Sequence, residues 1–200
     1  MCTYSELMDL IHSYYPQNCK YMSNAYKKSN EYLKLKEKIN DLGLRSRLDK
    51  KILANIKLAF PKNYIKKWTR KDYPSIHYSV LLHKNQPILD DDEELLVALN
   101  GRRLDLEVYV SLLDDYLYTF VVETIKLPNE KDLKFSIINE DSMPNTEELS
   151  SLVNNLLSLG FIKLNSEIAH ELVPNIETES LYQGEVRIFH CIFTDLVNNF

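Results

Sequence analysis

Apolar residues recur at steps of three and four along the first sixty positions, and beyond Trp68 the step becomes two. That change separates a helical front from a sheet-bearing remainder. Leu7, Leu10, Ile11 and Tyr14 follow Thr3 and Glu6, which spell the capping box of a short first helix, and Pro16 ends it. From about Asn18 to Ile39 a second, amphipathic helix is expected. Tyr21, Ala25, Tyr32, Leu35 and Ile39 form its apolar stripe, while Lys27, Lys28, Lys34, Lys36 and Lys38 mostly face elsewhere. Gly43 reads as its break. Leu48, Ile52, Ile56 and Phe60, each four residues on, then define a third helix that stops before Pro61.

The alternating pattern predicts strands over Ile76–His83, Leu104–Leu112, Tyr116–Lys126 and Leu133–Ile138, the second and third joined as a hairpin by a turn at Asp114-Asp115. Between the first two, Pro87 precedes five acids, then Leu95, Leu96 and Leu99, then Gly101: the start, body and stop of a helix. Another helix runs from Asn145 along Leu149, Leu152, Val153, Leu156 and Leu157, with Gly160 where a left-handed C-cap is wanted. Two short strands near Ser166–Leu172 and Glu185–Phe193, with Gln183-Gly184 at a turn between them, are expected to close the sheet. The pattern therefore predicts an α+β fold, with a helical N-terminal part over residues 1–70 packed on a mainly antiparallel sheet with two further helices over 71–200. Lys62–Asp72 is the expected seam, and the two parts are expected to form one compact unit.

Charge sharpens this division. The net charge of −5 conceals 16 Lys and Arg against 7 Asp and Glu over residues 1–72, about +9, and 8 against 22 over residues 73–200, or −14. Such asymmetry points to a charged macromolecular partner or to attraction between the two parts. No apolar run approaches the roughly 18–20 residues that span a bilayer, and the opening MCTYSELMDL lacks a signal segment, so a cytoplasmic protein without membrane contact is expected. Cys2, Cys19 and Cys191 lack metal-ligand spacing and read as reduced thiols.

The five acids Asp90, Asp91, Asp92, Glu93 and Glu94 invite a metal-site reading, but a calcium loop needs acids at alternating positions around a glycine. A helix start and a docking face both suit them better, and the two are compatible. His77 and His83 share a strand face about 20 Å apart, too far for one ion. Cys191 is not expected to use His190 as a base, because neighbours on a strand point to opposite faces; His170 adds nothing to that arrangement. A nuclease reading would gather Asp105 or Glu107 with Glu123 and Lys126 around a metal on the hairpin. KKWTRK at Lys66–Lys71 holds cations around Trp68, with Tyr64 nearby, the ingredients of a nucleic-acid patch. The strongly acidic remainder would repel nucleic acid, so a solvated basic face is the preferred reading there. With four glycines and no phosphate loop, nucleophile elbow or HExxH pattern, no cofactor is expected.

The run LLHKNQPILDDDEELLVALNGRRLDLEVYVSLLDDYLYTFVVET, with VPNIETESLYQGEVRIFHCIFTD later in the chain, resembles bacterial immunity-type proteins of polymorphic-toxin and contact-dependent growth inhibition loci. The resemblance spans about residues 76–193 and carries no catalytic motif. It implies a non-enzymatic cytoplasmic protein that neutralises a cognate toxin domain, a basic nuclease being one such target. On that reading Asp90, Asp91, Asp92, Glu93, Glu94, Asp114 and Asp115, with Tyr116 and Tyr118 as aromatic anchors, are the expected contacts. The alternative is a metal-dependent nuclease or a nucleic-acid-binding module that uses the basic front.

Overall fold

The computed structural model describes residues 3–68, 71–87, 92–126, 132–138 and 147–197. At its start the Thr3 hydroxyl accepts the Glu6 N–H at 3.3 Å and the Glu6 carboxylate accepts the Thr3 N–H at 2.8 Å, so a complete capping box opens α1 (Tyr4–Tyr14). The expected second helix is divided. Ser29 is extended (φ −69°, ψ 147°); it ends α2 (Asn24–Lys28), and its hydroxyl caps α3 (Asn30–Asn40) through the Tyr32 N–H. Nor does Gly43 break the chain. The Asp41 carboxylate accepts the Leu44 N–H at 2.8 Å, and α4 (Leu42–Ala59) starts there, with the glycine in its first turn.

Five strands follow one another as an antiparallel meander: β1 (Ile65–Trp68), β2 (Ser75–Leu81), β3 (Arg102–Ser111), β4 (Tyr116–Ile125) and β5 (Lys134–Ile138). β6 (Ile162–Lys163) lies parallel to the first residues of β4, so the α+β class with a mainly antiparallel sheet holds. β1 occupies the stretch read as a seam. Lysines hid it: an edge strand carries charge because its outer edge is a hazard for unwanted pairing, and that charge masks the alternation.

Among the described residues four helices come after β2: α5 (Asp92–Ala98), α6 (Glu147–Ser158), α7 (Ser166–Ala169) and α8 (Ile188–Ile192). The strands expected over Ser166–Leu172 and Glu185–Phe193 are thus corrected to α7 and α8, leaving one isolated bridge between Leu172 and Arg187. Every residue of α8 is buried, so neither a period of two nor one of 3.6 shows in its sequence. Asn165 caps α7 by accepting the Ile168 N–H at 2.8 Å. Gly160 (φ +95°) closes α6, with the Phe161 N–H returning to the Leu156 carbonyl at 3.2 Å. Gly101 is more constrained: at φ +81° it joins α5 to β3, and a Cβ there would stand 2.8 Å from the Lys126 carbonyl oxygen.

Both sheet faces are used, by alternate residues of the same strands. On one face Ile76, Tyr78, Val80, Leu106, Val108, Val110, Leu117 and Val121 pack under Leu48, Ile52 and Ile56 of α4 and Leu152 and Leu156 of α6. The opposite face offers Tyr109, Tyr118 and Phe120 to α1, α3 and the α8 region, where Phe189 and Phe193 meet them. Burying each such side chain contributes roughly 1.5–3 kcal/mol, which makes the helix-sheet-helix arrangement self-consistent. The basic front is not a separate block. α4 serves one core and α1 and α3 the other, while Arg45 donates to the carbonyls of Ile39, Tyr73 and Ser75 and ties α4 to the entrance of β2.

Candidate functional site

The α1 and α8 side covers its sheet face only from the hairpin end, and the register sets what stands beyond that cover. Trp68 lies opposite His77 and His77 opposite Tyr109, so three rings cross three strands in one row. His77 is stacked between the other two, with centroids 5.7 Å from Trp68 and 3.9 Å from Tyr109 and planes within 11° and 14°. Tyr109 continues the stack to Phe120 at 5.8 Å. Such offset aromatic ladders are rigid, since each ring loses contact on both sides if it turns.

In the next row Lys66 faces Ser79, Ser79 faces Glu107 and Glu107 faces Phe120. A polar chain links the two rows. The Trp68 indole N–H donates to Ser79 Oγ at 2.7 Å, the Ser79 hydroxyl donates to Glu107 Oε2 at 2.6 Å, and His77 Nε2 meets the same carboxylate oxygen. Glu107 therefore gathers two neighbours and fixes the histidine ring. The Ser79 hydroxyl thus accepts on one side and donates on the other, tying the constellation together. It holds an aromatic floor in place.

Above that floor is a groove of about 560 Å³, lined by Trp68, Tyr109, Phe120, Val122, Phe135 and Ile137, with Leu196 and Val197 along one wall. Its volume falls in the roughly 300–1,000 Å³ range of ligand and anchor sites. Phe135, on β5, is 67% exposed, a large apolar side chain left at the rim.

The acids singled out from the sequence do not form one patch. Asp90 and Asp91 lie outside the described residues, Asp92 opens α5, Glu94 is exposed, and Glu93 pairs with Lys126 at 2.8 Å just past the end of β4. Asp114 and Asp115 are exposed at the β3–β4 turn, about 30 Å away at strand rise over ten residues. Tyr116 and Tyr118 require correction as surface anchors. At 5% and 2% exposure they belong to the core, because β4 turns them under α1 and α8.

The nuclease set is dispersed as well. Asp105 pairs with Arg103 on the groove side, while Glu123 points to the other face and pairs with Arg102 at 2.6 Å. Among the described residues no group of three His, Cys, Asp or Glu side chains could hold a metal ion. His83 Nε2 accepts the Leu104 N–H at 3.1 Å, and burial holds its pKa below the ordinary value. His190 sits in a helix, where its Nδ1 accepts the Arg187 N–H at 3.0 Å and Nε2 meets the Val197 carbonyl at 3.1 Å; burial again lowers its pKa. Burial pushes the neighbouring Cys191 thiol far up, the reverse of what a nucleophile needs. In KKWTRK, Lys67 pairs with Asp49 at 2.6 Å and Lys66 lies 3.9 Å from the Trp68 ring centroid, so the aromatic is already engaged.

Sequence reasoning missed His77 with Glu107 as a unit. They are 30 residues apart, and only the β2–β3 register, with odd-numbered residues on one face of both strands, brings them together. No helix among the described residues is long and apolar enough to cross a membrane. Comparison of the chain with protein-family models, with curated proteins and with solved structures returned no match.

Proposed function

We propose that this chain is a non-enzymatic, immunity-type protein that binds and neutralises a cognate toxin domain, with the sheet groove as the anchor and the exposed acids as the steering charge. One observation carries this reading: the polar groups at the groove are committed to one another and hold rigid a groove whose floor, Tyr109 and Phe120, is buried and whose rim, half-buried Trp68 and exposed Phe135, is open. A preformed aromatic and aliphatic pocket is what a binding hot spot requires, since the anchor that fills it loses little more order on docking. Glu94 at one end of the sheet and Asp114 and Asp115 at the other add negative charge around the surface, whereas Glu93 is offset by Lys126. A toxin nuclease must be cationic to hold a phosphate backbone, and such carboxylates speed its encounter without themselves supplying most of the affinity.

Co-expression with a toxin domain encoded beside its gene provides the test. The intact chain restores growth and forms a stable complex, and Phe135→Ser accelerates dissociation by about tenfold or more while leaving the fold unchanged. Reversing Glu94, Asp114 and Asp115 to Lys slows association about tenfold at low salt and less at high salt. Growth restored equally by all of these variants, or a toxin left active in the presence of the intact chain, refutes the reading.

A further inference from the structure

The two outer strands of the sheet are finished differently. β1 carries Lys66 and Lys67 on its two faces, the kind of charge that guards an edge against unwanted pairing. β5, at the other side, reads KFSII: it has no proline, its single charge is at its first position, and Phe135 is 67% exposed. Among the described residues no strand lies beyond it.

The ladder fixes which backbone groups of β5 face outward. Lys126 donates its N–H to the Gly101 carbonyl at 2.8 Å, so the β4 residues that bond to β3 are Thr124, Val122 and Phe120, and those between them bond to β5. Ile125, Glu123 and Val121 therefore bond to Lys134, Ser136 and Ile138. Phe135 and Ile137 alternate with these. They send their N–H and C=O groups away from the sheet, while their side chains lie on the groove face beside Thr124 and Val122.

This edge is complementary to itself. Set antiparallel about a two-fold axis at Ser136, two copies of β5 place the Phe135 of each opposite the Ile137 of the other. Each such pair exchanges both of its outward hydrogen bonds, and an aromatic ring meets a β-branched side chain twice on one face. A shift of two residues either way loses this match, because one outward residue then faces its own counterpart and the other faces past the end of the strand. Charge agrees with the same register. The two Lys134 side chains start about 14 Å apart, four residues offset along the pair, beyond the roughly 8 Å over which exposed charges act at physiological ionic strength.

We propose that two copies of this chain pair through the outer edges of β5, forming one sheet that is continuous across both and that carries the two grooves on the same face. A five-residue strand pair covers less than the roughly 1,200 Å² of a standard interface, so the dimer is weak and depends on concentration. The inference does not rest on the toxin-binding reading, and its test contains no toxin.

Sedimentation equilibrium of the intact chain from about 5 μM to about 1 mM provides that test. A reversible monomer–dimer equilibrium is expected, with a Kd of roughly 10–500 μM. It tightens as salt rises, because each copy carries a net charge of −5 while the paired edge is apolar and bonded through the backbone. Ile137→Pro removes an outward N–H at an edge position where proline is tolerated; it weakens the dimer about tenfold or more and leaves the circular dichroism unchanged. Phe135→Lys and Ile137→Glu each weaken it too. Combined in one chain they restore it, since the register sets the two positions opposite each other across the axis. That combination carries the test should Ile137→Pro not fold. A chain still monomeric at about 1 mM, a dimer indifferent to Ile137→Pro, or a double variant that associates no better than either single one overturns the proposal.

Discussion

The β3–β4 hairpin presents two faces made from alternate residues of the same two strands, and they are finished in different ways. On one, Leu106, Val108, Val110, Leu117 and Val121 are sealed under α4 and α6. On the other, Tyr109 and Phe120 are buried as well, but they floor a groove left open beside Trp68 and Phe135, and Glu107 spends its carboxylate there on His77 and Ser79. The sealed face draws its stability from exclusion of water and tolerates little change of volume. The open face is kept in shape by stacked rings and hydrogen bonds, which leaves apolar surface free to meet something else. One strand thus serves as both foundation and working surface.

The largest break in this comparison is expected on the sealed face. Leu106→Ala should cost about 2–5 kcal/mol in urea unfolding, through lost transfer free energy and the cavity left behind; a cost below about 1 kcal/mol would show that this face is not close-packed. Glu107→Gln on the open face should cost less, about 1–3 kcal/mol, because the amide keeps the shape but loses the charge-assisted bonds. Its signature is local: the one tryptophan, Trp68, is linked to Glu107 through Ser79, so its fluorescence should change in the folded state. An unchanged spectrum would mean that the polar chain does not hold the rings.

The smallest effect concerns pH. Burial lowers the pKa of His83, His170 and His190 below the ordinary 6.5 in the fold, so the unfolded chain binds protons more readily. Their contribution to stability is complete above 6.5 and is lost as pH falls below it toward the depressed folded values. α4 and α6 contain no histidine, whereas His190 belongs to the helix packed on the open face. Mild acid should therefore raise amide exchange in α1 and α8 before α4 and α6. Exchange rising equally in both layers would dissolve the distinction, and His190→Gln should reduce the difference.

Much of the fold was legible because local signals agreed. The Thr3 capping box, the four-residue steps of α4, the alternation of β3 and β4 around Asp114-Asp115, and Gly160 after α6 each point to one element. Failures came where local signals were silent or doubled. Ser29 divides a continuous amphipathic stripe because its hydroxyl caps the next helix, and the stripe itself contains no such information. Ile188–Ile192 is buried on all sides and reads equally as strand or helix. The acids and aromatics chosen as docking residues suffered from the same limitation: on the immunity-type reading Tyr116 and Tyr118 stood as aromatic anchors beside Asp114 and Asp115, yet their strand phase places them in the core.

Local chemistry along the chain determined the caps, the periods and the turn, since each depends on residues within a few positions of one another. The separation of charge between the two parts was equally written into the order of residues. Only tertiary structure decided that His77 meets Glu107, that Trp68 stacks rather than waits for a base, and that Phe135 lines the same groove as Trp68. Those pairings join positions tens of residues apart or more, and strand register and helix docking, governed by burial of whole faces, choose among many partners that local sequence leaves equivalent.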